Sequence, residues 1–108
     1  MNILIKQANI VSAESSWPAD VLVNEGKIAL IRPEISPARR PDLVIDAEGL
    51  LLMPGGIDPH VHMHLPTAAG YSSDDFLSGS KAALMGGTTS LIDFVTPKKG
   101  QNLVEALQ

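Results

Sequence analysis

The chain has 108 residues, 44% apolar and 19% charged, a balance that excludes disorder and suits one small domain with its own core. Its net charge is −4 and its eight Lys and Arg are scattered apart from Arg39-Arg40 and Lys98-Lys99, which argues against a nucleic-acid partner. There is no cysteine, so disulfides and thiolate metal sites are excluded. No apolar run approaches the ~20 residues of a membrane span. Only Ile3-Leu4-Ile5 precede Lys6, short of the apolar stretch of roughly 7–15 residues in a signal peptide. A cytoplasmic protein with no membrane partner is expected.

Residues 1–53 read as short strands. Ile3 to Lys6 and Asn9 to Ser12 are two of them. Residues 20–25 and Lys27 to Ile31 form β-branched runs around Asn24-Glu25-Gly26-Lys27, a hairpin turn with Gly26 at positive φ. Pro33, Pro37 and Pro41 mark 33–42 as an irregular loop. Leu43 to Asp46 and Leu50 to Met53 complete a strand-rich region, expected to be part of a small β-sandwich or barrel.

The character changes at Pro54-Gly55-Gly56. Gly56 to His62 reads as a strand and 66–72 as a loop. Ser72 to Asp75 has capping-box spacing for a helix running to about Met85 and stopping at Gly86-Gly87. Phe76, Gly79, Ala83 and Leu84 lie near one face of it, with Gly79 suited to close packing. Thr88 to Val95 reads as a mostly buried parallel strand, which completes a βαβ unit. Asn102 and Glu105 cap a further helix that has run about two turns at Gln108. A single βαβ unit with a helix just begun is not a closed architecture, so the expectation is a sequence cut from something longer.

All three histidines fall in Asp58-Pro59-His60-Val61-His62-Met63-His64. Side chains in a strand alternate faces, so Asp58, His60 and His62 share one, and His64 joins them if the strand runs that far. Two imidazoles at i and i+2 can reach one ion, at about 2.0–2.1 Å for zinc, although imidazole also suits nickel, iron and cobalt. A lone His-x-His is a weak signal, as often incidental as ligating. Its position at the end of an apolar strand, between Gly-Gly and a loop, strengthens it, because catalytic groups in α/β barrels gather at the C-terminal ends of strands. His64 reads as a loop histidine near the ligands rather than a third ligand.

Pro54 through His62 resembles the signature of the amidohydrolase superfamily. Asp74-Asp75-Phe76, Gly79, Ala82-Ala83-Leu84, Gly86-Gly87-Thr88-Thr89 and Ile92-Asp93-Phe94 are similar to the dihydropyrimidinase and hydantoinase branch. The resemblance implies an α/β fold: the start of a (β/α)8 metal-dependent hydrolase barrel over 54–108, preceded over 1–53 by part of a small β-sandwich domain. It implies that His60 and His62 bind the more buried of two divalent metals, zinc in the first instance, with Asp58, His64 and Asp93 around them. The family's bridging carboxylated lysine, two further histidines and catalytic aspartate come from later strands. Lys81, Lys98 and Lys99 do not occupy the lysine's position, and no catalytic residue is assigned within the 108.

The activity implied is opening of a dihydropyrimidine or hydantoin ring to an N-carbamoyl amino acid, by a homo-oligomeric enzyme of which this chain alone would be inactive. A dihydroorotase- or allantoinase-like hydrolase would share His60 and His62. A non-catalytic assembly relative would tend to have lost them. His64 departs from the acidic residue or amide common at its position, which leaves the substrate open.

Overall fold

The computed structural model describes residues 1–107 and divides into two compact units, Met1–Pro54 and Gly55–Gln108. In the first unit, β1 (Asn2–Val11), β2 (Ser16–Asn24), β3 (Lys27–Arg32), β4 (Leu43–Asp46) and β5 (Leu51–Leu52) form one mixed sheet. Its order is β3-β2-β1-β4, with β5 beside the far end of β1. The β1–β2 and β2–β3 pairs are antiparallel, whereas β4 and β5 run parallel to β1. The β2–β3 hairpin turns on two residues, Glu25 (φ +49°) and Gly26 (φ +73°), the twist that suits a two-residue loop. This is a single sheet and not a two-sheet sandwich. The short runs read from sequence are strands, but all five join one hydrogen-bonded layer.

The two strands expected at 3–6 and 9–12 are one strand interrupted by a bulge. Lys6 and Gln7 together oppose Asp20, and Gln7 takes a left-handed φ of +59°. The extra residue reverses the alternation, so Ile5 and Ile10, five apart, join the same cluster with Ala19, Val21, Val23 and Leu52. The bulge is held by Asp20, which is 2% exposed. Its Oδ1 accepts the Gln7 N–H (2.8 Å) and its Oδ2 the Ile35 N–H (3.0 Å). The second bond pins the Pro-rich segment 33–42, which has no regular structure, and buries Ile35 against the sheet unit.

The second unit contains β6 (Gly56–Val61), a two-residue hairpin of β7 (Pro66–Thr67) and β8 (Gly70–Tyr71), α1 (Phe76–Met85), β9 (Thr88–Asp93) and α2 (Leu103–Leu107). β6 and β9 pair in parallel, joined through α1. Among the described residues the unit holds one βαβ and no closed barrel. β9 is only partly buried, with Ile92 exposed, because one neighbouring strand and one helix do not cover both of its faces. Among the described residues no helix is long and apolar enough to cross a membrane.

Two irregularities set the β6–β9 register. Thr89 is the extra residue on β9, where Gly55 makes room: a Cβ at Gly55 would sit 2.2 Å from Thr89 Oγ1. On β6 the shift falls at Pro59-His60, where proline has no N–H to offer the ladder. Both expected strands are shorter than their apolar runs, ending at Val61 and Asp93.

The cap of α1 lies three residues beyond the expected one. Ser72 Oγ is engaged elsewhere, accepting the Leu65 N–H at 2.9 Å. Asp75 is the N-cap instead: its Oδ1 accepts the Ser78 N–H (2.7 Å) and Ser78 Oγ accepts the Asp75 N–H (3.1 Å). The helix ends at Gly86, with Gly87 at φ +84°. At its middle, Gly79 faces Met63, whose Cε would lie 3.0 Å from a Cβ there. At α2, the expected reciprocal bonds of Asn102 and Glu105 are formed at 2.9 and 3.2 Å.

Replacing Asp20 by Asn exchanges one buried acceptor for a donor facing an N–H, and should lower unfolding stability by about 2 kcal/mol in urea titrations. The Ser78 backbone N–H, followed by the Ser78 hydroxyl, holds the Asp75 carboxyl below its ordinary range. A depressed carboxylate contributes stability above its unfolded pKa near 3.9, and that contribution is lost as pH falls through the lower folded value. Protection of the α1 amides, taken relative to their intrinsic exchange rates, should therefore fall as pH is lowered through that window. Asp75→Ser, a neutral cap, should remove the acid dependence.

Candidate metal centre

β6 carries Asp58 and His60, and His62 follows its last residue. Asp58 Oδ1 accepts the N–H of His60 at 3.1 Å. This local bond ties down the backbone beside Pro59 and leaves Asp58 holding the first histidine through its main chain rather than its ring. Despite the irregularity at Pro59-His60, the two imidazoles converge, with His60 Nε2 and His62 Nε2 3.1 Å apart. Their rings meet edge to face, with centroids 5.1 Å apart.

Two nitrogens about 2.1 Å from one tetrahedral ion lie ~3.4 Å apart, so the observed separation fits a shared ion. The direct Nε2···Nε2 bond needs a proton on one of these atoms, whereas ligation needs both lone pairs. Among the described residues no group of three His, Asp or Glu side chains is arranged to hold an ion. The pair would supply two of the four ligands of a tetrahedral site.

The end of β9 faces the end of β6. Asp93, opposite Val61, accepts the Met63 N–H through Oδ2 (3.2 Å) and the Phe94 N–H through Oδ1 (2.7 Å). One carboxylate thus fastens the backbone just after His62 to the strand beside it. Phe94 extends the ladder by donating its N–H to the Val61 carbonyl (3.3 Å). Its ring lies against both imidazoles, at centroid distances of 4.4 Å to His60 and 5.4 Å to His62.

His64 does not join the pair. It is past the strand end, at φ +50°, and stacks on Tyr71 of the β7–β8 hairpin with centroids 4.1 Å apart and planes 14° from parallel. Its N–H donates to the Asp74 carbonyl (2.8 Å). An open cavity of about 430 Å³ lies beside His62, with His64, Leu65, Phe76, Phe94 and Leu107 among its walls.

The model of the amidohydrolase family matches residues 51–108, more than half the chain and the whole of the histidine segment. The chain belongs to the amidohydrolase family. Within it, the homology is to dihydropyrimidinases and hydantoinases. "Dihydropyrimidinase 2" of Caenorhabditis briggsae is 49% identical over 107 residues, covering 98% of this chain and 20% of the relative. The D-hydantoinase of Geobacillus stearothermophilus is 44% identical over 108 residues, covering 100% of this chain and 22% of the relative. The crystal structure of dihydropyrimidinase from Brevibacillus agri superposes with a TM-score of 0.92 at 40% identity, over 99% of this chain and 23% of that one. This amidohydrolase chain thus spans about a fifth of the length of the curated relatives it matches.

Phe94 was missed by sequence reasoning. A phenylalanine closing a β-branched run reads as core, and its place beside His62 follows only from the Val61–Asp93 register. Asp93→Ala should free the Met63 amide, raising its hydrogen-exchange rate about tenfold, whereas the Phe94 N–H keeps its bond to the Val61 carbonyl. The amides of the β1–β2 pair provide the unaffected comparison.

Proposed function

We propose that this chain carries the first metal-binding strand of a cyclic-amide hydrolase, acting on dihydropyrimidines or hydantoins. The observation that carries the reading is the convergence of His60 Nε2 and His62 Nε2 to 3.1 Å beside the paired ends of β6 and β9. In this reading residues 54–108 begin a (β/α)8 barrel and residues 1–53 contribute to a β-sandwich. The remaining ligands and the catalytic aspartate come from chain outside these 108 residues.

His60 and His62 would hold a divalent ion, zinc in the first instance, as one of two in a binuclear site. Such an ion supplies Lewis-acid polarisation of a ring carbonyl and a water nucleophile at neutral pH. Asp58 and Asp93 hold the backbone on either side of the pair. His64, stacked on Tyr71, lines the adjoining cavity, where a ring substrate would approach. The complete enzyme is read as a cytoplasmic homo-oligomer whose substrate is a small cyclic amide. The chain alone is inactive, because half of one metal shell cannot assemble the reaction.

A chimera tests this. Residues 1–108 replace the matching fifth of the Geobacillus stearothermophilus D-hydantoinase, and ring opening of hydantoin and dihydrouracil is followed together with metal content. Turnover is expected, and His60→Ala or His62→Ala should lower it by more than about a hundredfold with loss of bound metal. A chimera that loads metal but opens neither ring would overturn the assignment.

A further inference from the structure

The aromatic ring of Phe94 touches both imidazoles, yet nothing in its residue type marks it as part of a metal centre. It is half exposed, so it is not a core residue that meets the histidines by accident of burial. Its backbone is fixed twice over, by the Asp93 carboxylate (2.7 Å) and by the Val61 carbonyl (3.3 Å). The ring therefore stands on a main chain held where β9 meets the end of β6. His60 lies closest, at 4.4 Å and 37° from the plane of Phe94, with His62 at 5.4 Å and 36°. The Phe94 ring is a wall against which both imidazoles lean at nearly the same tilt.

We propose that Phe94 is a positioning residue for His60 and His62, selecting the ring orientations in which their Nε2 atoms converge. This rests on the reading of the two histidines as ligands. Without the wall, each imidazole would sample several rotamers, and the cost of collecting them would weaken any ion they share. Aromatic packing of this kind contributes about 0.5–1.5 kcal/mol beyond buried area, which converts to an affinity change of roughly 2- to 12-fold.

The 108-residue chain, as it stands, is titrated with Co²⁺ and followed by histidine-ring proton NMR and visible absorption. In the metal-free chain the His60 ring protons should be displaced from free-histidine positions by the Phe94 ring current. Phe94→Leu should remove that displacement and weaken Co²⁺ several-fold, whereas Phe94→Tyr should retain both. Phe94→Leu with unchanged affinity, while His60→Ala weakens binding, would overturn the positioning role and leave the ligand reading intact. Undisplaced His60 protons in the unaltered chain would overturn it without recourse to any variant. A chain in which Co²⁺ perturbs neither His60 nor His62 would overturn both readings.

Discussion

The parallel pairing of β6 with β9 is the constraint on which the histidine site depends. Parallel strands finish at the same edge of their sheet, so residues that follow Val61 and Asp93 are neighbours although 32 positions separate them in sequence. His60 and His62 arrive from one strand, Asp93 and Phe94 from the other. An antiparallel pair would have sent the two ends to opposite edges. The connection through α1 is what makes the parallel arrangement possible, since a parallel crossover needs an intervening element. The glycines serve that geometry: Gly55 yields space to the bulged Thr89, and Gly79 lets Met63 lie close to the helix.

The first unit solves a different problem with one carboxylate. Asp20 is charged by type and nearly fully buried, and both its oxygens receive main-chain N–H groups. A buried carboxylate without partners is costly. Here it supplies the acceptors for a bulge and for a loop that has no ladder of its own. The Pro-rich segment 33–42 can thus remain irregular and still be fastened to the sheet.

The sequence was most readable where pattern and periodicity coincide. The β2–β3 hairpin, the βαβ order, the stop at Gly86-Gly87 and the α2 cap all follow from local residue types whose physics is local. The position of the α1 cap was misread because Ser72 and Asp75 both suit a cap, and only the competing bond from Leu65 to Ser72 decides between them. The bulge at Gln7 was invisible because glutamine gives no cue for left-handed backbone; its partner Asp20 lies on another strand. The His60–His62 convergence follows the period-two rule even though Pro59 interrupts the ladder. The wall provided by Phe94, and the stacking of His64 on Tyr71, depend on register and on a hairpin within a segment read as loop, and neither is encoded in nearest-neighbour pattern.

The bulge in β1 has a bearing on how such a strand can change length over evolutionary time. Its two halves, before and after Gln7, present opposite parities of residue to the same apolar face. Loss of the one extra residue at the bulge would straighten the ladder and leave Ile5 and Ile10 four apart, still on the same face. Loss or gain of one residue elsewhere in the strand would keep the kink and turn part of the strand inside out. Away from the bulge, single-residue length changes in this strand are therefore a form of frameshift at the level of the fold. Length drift in this strand is tolerated at the bulge, and elsewhere only as paired changes that restore parity.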